Sequence, residues 1–311
     1  MNGSYRFRQD EIDSIVKRFG RSFYERAAAA IEAYGSKWSL TNFKLIPSYS
    51  ANLVFTCEAG QDGPAVLKIG RPSSSEIMTE YNALNEYNGV KFCSVYKADF
   101  EDGVLLEACI QPGIPLRDER DLETRLSVFS SLYNGLHIAP AIPESYPTYL
   151  GWVTRITEYM SRRNDCKELY AHMKKAEGIC LSIAEQYAKQ MLLHGDFHHD
   201  NILLGSDGRY VIIDPKGVVG DPVFDVPRFI LNEFDDDITP ALYDKINFII
   251  YSLEKKLNIP NDILKKCLYV ETAMGECWSV ESGASAEEYE KLLQNVVFAE
   301  SILKGNLAND K

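Results

Sequence analysis

At 311 residues the chain can bury a large core, and its length suits two lobes better than one compact unit. A net charge of −12 disfavours nucleic acid and anionic membranes as partners and suits a cationic substrate. No apolar run reaches the length of a spanning helix, and the opening stretch MNGSYRFRQDEID lacks the apolar core of a signal peptide. Seven scattered cysteines without a C-x-x-C pair fit reduced thiols of a cytoplasmic protein rather than a zinc site.

Residues 8 to 34 carry apolar side chains at helical spacing: Ile12, Ile15, Val16 and Phe19, then Phe23, Ala27, Ala30 and Ile31 after a break at Gly20. They predict a helical arm with no chemistry of its own. Between 43 and 69 the period changes, and FKLIP, NLVFTCE and PAVLKIG read as three antiparallel strands. Lys68 lies inside the third strand, where an ammonium is costly unless it is paired or functional; the bland alternative is an edge lysine reaching outward. Ser73-Ser74-Ser75 is a helix start, and the helix to Tyr87 carries Glu76 and Glu80 four apart on one face. FCSVYKADF and GVLLEACI supply two more strands before the Gln111-Pro112-Gly113 break.

From about 118 the pattern is helical, with a helix ending near Gly135 and two more over 150–163 and 166–190. His137 reads as a surface or capping residue. The rest, 238 to 304, divides into helices over 239–257, 260–279 and 285–304. Between 233 and 300 fourteen acidic residues face six basic ones, so carboxylates lining a pocket would suit a polycation, while the plain reading is a solvated acidic face.

The stretch from 191 to 225, MLLHGDFHHDNILLGSDGRYVIIDPKGVVGDPVFD, organises the chain. Two short strands flank the turn Ser206-Asp207-Gly208, with polar groups at their outer ends. A single Asp or Asn here would be read as a turn former. The ordered set of His194-Gly195-Asp196, Asn201, Asp214, Gly220-Asp221-Pro222 and Asp225 is not a chance assembly. Asp-x-x-x-x-Asn is the spacing of a kinase catalytic loop. Its chemistry needs one carboxylate near the acceptor hydroxyl, which Asp196 suits. It also needs two oxygen ligands for Mg²⁺, which Asn201 and Asp214 suit. No A-P-E signature or long activation segment follows Pro215-Lys216-Gly217, so the acceptor is expected to be a small molecule rather than a protein.

These residues resemble the aminoglycoside phosphotransferases and their choline-kinase-like relatives. DPKGVVGDPVFD, and Glu276-Cys277-Trp278-Ser279-Val280-Glu281-Ser282-Gly283, are most similar to the streptomycin 6-kinase and hydroxyurea phosphotransferase branch. The resemblance covers roughly residues 38 to 300. Two departures are Val226-Pro227, where members usually continue with Leu-Ala, and Asp200, where many have Gly.

The resemblance implies an α+β, bilobal protein-kinase-like fold. A small antiparallel-β lobe with its helical arm would span 1–109, and a larger helical lobe 110–311. Lys68 resembles the kinase lysine that holds the α- and β-phosphates of ATP, with Glu80 as its partner and Glu76 in reserve. Ser48-Tyr49-Ser50-Ala51-Asn52 takes the place of a glycine-rich loop, with Ser50 and Asn52 near the phosphates. Adenine would meet the backbone near Glu107 to Cys109. His194 resembles the histidine that braces the loop, while His198 and His199 either face the acceptor or pack. Asp221 and Asp225 are expected to hold backbone amides and to cap a helix over Phe224–Leu231. The expected activity is ATP- and Mg²⁺-dependent phosphorylation of a small-molecule hydroxyl, with Asp196 as base. Streptomycin-like aminoglycosides or hydroxyurea are the expected acceptors, and a resistance role follows from them. The enzyme would act in the cytoplasm as a monomer or homodimer. The alternatives are a kinase of choline, homoserine or a sugar, and a silent kinase fold used for binding.

Overall fold

The computed structural model describes residues 5–47 and 51–305. In chain order the elements begin with helices α1 (Gln9–Phe19) and α2 (Arg21–Lys37), then strands β1 (Leu40–Ile46), β2 (Leu53–Ala59) and β3 (Pro64–Ile69). Helix α3 (Ser75–Tyr87) precedes β4 (Val95–Asp99), β5 (Val104–Ala108) and β6 (Pro112–Pro115). Three helices follow: α4 (Leu122–Tyr133), α5 (Tyr149–Ser161) and α6 (Lys167–Gln186). The central stretch forms β7 (Met191–Leu193), β8 (Ile202–Gly205), β9 (Tyr210–Ile212) and β10 (Val218–Gly220). Helices α7 (Pro227–Leu231), α8 (Pro240–Leu257), α9 (Asn261–Glu281) and α10 (Ala286–Lys304) complete the chain. None of the described helices is long and apolar enough to cross a membrane.

The chain forms two compact units. The first comprises residues up to Ile114 together with Leu203–Lys216, and the second the remainder. This corrects the division expected at 109/110, and pairing distant in sequence is the reason. Strand β6 hydrogen-bonds to β8, which pairs with β9, so the chain to Ile114 and the hairpin after Ile202 stay together. Ile212 also accepts from the Cys93 amide at 3.0 Å within the same unit.

In the first unit five antiparallel strands run in the order β1-β2-β3-β5-β4. Along β2 the side chains of Leu53, Phe55, Cys57 and Ala59 are buried, alternating with Val54, Thr56 and Glu58. That apolar face packs against Ile15, Phe23, Ala27, Ile31 and Tyr34 of the helical arm. On β3 the same alternation turns Ala65, Leu67 and Ile69 to the arm and Val66 and Lys68 to the opposite face. The register of β3 with β5 sets Lys68 beside Leu105 and Val66 beside Glu107, so Glu107 is a diagonal neighbour of the lysine. The turn into β5 is tight: Gly103, at φ +65°, brings its carbonyl to the Gly70 amide at 2.8 Å. A Cβ there would fall 2.1 Å from the Arg71 carbonyl oxygen, which admits only glycine.

In the second unit α9 is the central helix, packed by α5, α6, α7, α8 and α10. Its run from Ile263 to Met274 is almost continuously buried, as expected of a helix covered on all sides. Strand β7 pairs with β10, and the loop after β7 carries the motif residues.

Candidate active site

In the first unit Lys68, only 4% exposed, places its ammonium among three carboxylates. It hydrogen-bonds to Glu80 of α3 and to Asp214, and its Nζ lies 3.0 Å from Glu107 Oε2. The expected pairing with Glu80 is therefore present, while Glu76 is exposed. Burial opposes the charged lysine, but Asp214, Glu107 and Glu80 outweigh it and hold its pKa well above the usual value. One ammonium cannot neutralise three carboxylates. Burial pushes the Glu107 carboxyl up to about 8 and raises Glu80 as well. Asp214 adopts φ +59°, a left-handed conformation uncommon for a side chain with a Cβ.

The Glu107 result changes its expected part. The Ala108 amide donates to Ser94 O at 2.8 Å and the Cys109 amide to Pro64 O at 3.1 Å. Within the Glu107–Cys109 stretch expected to meet adenine, these two amides are engaged by neighbouring chain, and the Glu107 side chain faces Lys68. Ser50 lies outside the described residues. Asn52 packs over Gly70, where a Cβ would fall 2.5 Å from Asn52 Oδ1.

In the second unit the loop after β7 hangs on Asp225, which is 1% exposed. Its carboxylate accepts from the His194 amide at 2.7 Å and the Gly195 amide at 2.8 Å. Gly195 sits at φ +78°, which lets two successive amides point at one carboxylate. His137 Nε2 lies 2.9 Å from the same group, so its side chain, 6% exposed, braces the loop rather than facing solvent. Burial pushes the Asp225 carboxyl up, but His137, His194 and the Gly195 amide together outweigh it, leaving the pKa below the ordinary value. Asp221 accepts from the amides of Val223 and Lys189, and the helix expected from Phe224 starts later, at Pro227.

The loop is also tied internally. Asp196 donates its amide to His194 Nδ1 at 3.1 Å, and Asn201 Nδ2 donates to the Asp196 carbonyl at 2.9 Å. With Nδ2 so engaged, Oδ1 is the Asn201 atom suited to a cation. His199 packs: it stacks on Phe229 at 4.1 Å, and its Nε2 lies 2.9 Å from buried Glu233. Burial raises Glu233, but His199 and Arg125 bring its pKa down to about 2. His198 Nε2 lies 3.5 Å from Asp196 Oδ1. Asp200 forms a bidentate pair with Arg117 at 2.6 and 2.7 Å, and Arg117 also reaches Asn232. Sequence reasoning missed Arg228, whose Nε lies 3.2 Å from Asp196 Oδ1. A charged residue in the otherwise apolar stretch around Phe229 and Ile230 was the available signal.

Residues 37–283 match the aminoglycoside/hydroxyurea antibiotic resistance kinase family. The chain is 24% identical over 210 residues to streptomycin 6-kinase of Streptomyces griseus, covering 67% of each chain. It is 26% identical over 223 residues to hydroxyurea phosphotransferase of Kitasatospora aureofaciens, covering 69% of this chain and 64% of that one. Among solved structures, choline kinase LicA from Streptococcus pneumoniae has the same fold. It superposes with a TM-score of 0.66 at 14% identity, covering 90% of this chain and 99% of that one. With the family matched over most of its length, the chain belongs to the aminoglycoside/hydroxyurea antibiotic resistance kinases.

Proposed function

We propose that this protein transfers a phosphoryl group from Mg·ATP to a hydroxyl of a small molecule of the streptomycin or hydroxyurea type, and so confers resistance to it. The observation that carries the reading is the Lys68 ammonium, buried on a rigid strand and kept charged by Glu80, Glu107 and Asp214. Such a group holds nucleotide phosphates at little ordering cost. In the first unit the Asp214 carboxylate is a hard oxygen donor of the kind that suits Mg²⁺, and in the second unit the Asn201 amide oxygen is another. When bound, the ion would neutralise charge on the phosphates. Asp196 orients the acceptor hydroxyl and accepts its proton late in a loose transition state.

The charge distribution favours an acceptor of low charge. Many of the carboxylates after residue 232 already have partners in the second unit. Glu233 pairs with Arg125, Glu271 with Arg228, Glu281 with Arg155 and Glu300 with Lys175, while Glu276 accepts from Asn295. The acidic excess is thereby divided into internal pairs and exposed surface, which supports hydroxyurea over a polycation.

ADP release from Mg·ATP in the presence of streptomycin, hydroxyurea, choline, homoserine or simple sugars tests the reading. Release stimulated by one of the first two is expected. Stimulation by a metabolite alone moves the assignment to that acceptor, and tight Mg·ATP binding with no stimulated release makes the fold a binding module.

A further inference from the structure

We infer that Arg228 is a positioning residue for Asp196, held in place by Glu271 and Tyr149, an inference that rests on the reading of Asp196 as the catalytic base. Arg228 lies on α7, with its side chain 20% exposed. Its Nε is 3.2 Å from Asp196 Oδ1, and its Nη2 is 2.7 Å from Glu271 Oε1. Glu271, on α9, is 2% exposed, and its other oxygen accepts from Tyr149 at 2.6 Å. The guanidinium carbon lies 6.0 Å from the Trp278 ring centre, and Nη1 passes Gly275 of α9. All of these groups belong to the second unit.

Asp225 fixes the backbone of the catalytic loop through the His194 and Gly195 amides, whereas Arg228 meets the Asp196 carboxylate itself. A planar guanidinium with donors in a fixed fork orients such a carboxylate when its other end is anchored. Here the anchor is a buried carboxylate on the central helix, itself held by a phenol at the start of α5. A site supported from packed helices is more exact than one supported from a loop. Both guanidinium contacts meet the distance for an ion pair without the alignment of a hydrogen bond. Catalytic contacts of this kind tighten when reactants bind.

A second consequence concerns the acceptor. With a protein guanidinium beside both Asp196 and Glu271, those carboxylates do not serve as the counter-charge for a cation next to the reacting hydroxyl. This agrees with a low-charge acceptor but does not depend on it.

The test measures ADP release from Mg·ATP with streptomycin, hydroxyurea or water as acceptor. The proteins are the parent, Asp196→Asn, Arg228→Ala, Arg228→Lys and Glu271→Gln, each with its Mg·ATP Kd and Tm. Arg228→Ala is expected to lower kcat by about 100-fold, the effect of a misplaced catalytic group, with Kd for Mg·ATP within about twofold. Arg228→Lys should recover part of the loss. Guanidinium chloride, added below denaturing concentration, should accelerate Arg228→Ala but not Asp196→Asn. Should Arg228→Ala fail to fold, the lysine and Glu271→Gln proteins carry the test, and both are expected to lose kcat while keeping nucleotide affinity. Parental kcat in Arg228→Lys and Glu271→Gln overturns the inference. So does a change confined to acceptor KM, or a loss in Arg228→Ala that neither lysine nor guanidinium relieves. If Asp196→Asn keeps parental turnover, the reading of Asp196 fails instead. An inactive Asp196→Asn beside a fully active Arg228→Ala rejects only the role of Arg228.

Discussion

Glu107 Oε2 lies 3.0 Å from Lys68 Nζ, across the paired strands β5 and β3. Glu107 Oε1 is buried and has no hydrogen-bond partner among the described residues. A third carboxylate this close, with Glu80 and Asp214 already on the ammonium, places more negative charge in the site than one lysine balances. Burial raises the Glu107 carboxyl to about 8, so the folded chain binds a proton that the unfolded chain has released. A raised pKa of this kind contributes stability that is complete below the unfolded value and lost as pH rises through about 8. Thermal melts of the nucleotide-free protein should therefore show Tm falling between about pH 5 and 8. Glu107→Gln should flatten that slope, and an unchanged slope would remove Glu107 as its source.

Lys68→Ala removes the ammonium paired with Glu80, Glu107 and Asp214. Two losses are expected. Mg·ATP affinity should drop by about 1.5–3 kcal/mol, the value of a charge-assisted contact, read by calorimetry. Stability should also fall, because buried carboxylates are left unpaired. Acidification should restore part of it by protonating them. A mutant with parental Tm at every pH would mean that the carboxylates relax into solvent.

Asp225→Asn tests the loop's support. The carboxylate accepts from two amides and faces His137, whereas an asparagine offers one oxygen and turns an N–H toward donors. Each charged hydrogen bond lost costs roughly 1.5–3 kcal/mol, so urea unfolding should show a large drop in stability. The pKa of Asp225 is lowered in the fold, so its contribution is present above the ordinary carboxylate range and is lost as pH falls through the lowered value. Acid unfolding of the parent should carry this component, and the mutant should lack it.

Local patterns were legible in the sequence. The alternation in β2 and the helical spacing of the arm set those elements, and the serines before α3 marked its start, where Ser74 is the cap. A lysine in an apolar strand called for a carboxylate nearby, which left Glu76 and Glu80 as candidates, and the family resemblance selected Glu80. What stayed hidden depends on contacts distant in sequence. Glu107 reads as an ordinary strand residue until the β3–β5 register sets it diagonal to Lys68. Arg228 and Glu271 meet only because α7 packs on α9, and the unit boundary moved because β6 pairs with β8. His137 looked like a residue beyond a helix end, since nothing local shows that Asp225 lies 2.9 Å away.

The two aspartates of the motif sit in different surroundings. Asp196 lies in the loop tied by His194 and Asn201, beside Arg228, whereas Asp214 is bonded to Lys68. Their neutral substitutes should therefore fail in different ways. Asp196→Asn keeps the size of the side chain and the bonds of its backbone, but it cannot accept a proton. Its kcat should fall by about 10²–10⁴, the range for a positioned general base, while Kd for Mg·ATP changes little. Asp214→Asn removes a carboxylate suited to Mg²⁺ and one of the partners that keep Lys68 charged, so nucleotide affinity itself should weaken. Titrating Mg²⁺ should make the contrast plain: excess metal should partly restore Asp214→Asn and leave Asp196→Asn unchanged. Parental kcat in Asp196→Asn would reject it as the base. Of the two histidines nearby, His198 would then be the better candidate, because its ring lies 3.5 Å from Asp196 while His199 is buried against Phe229 and Glu233.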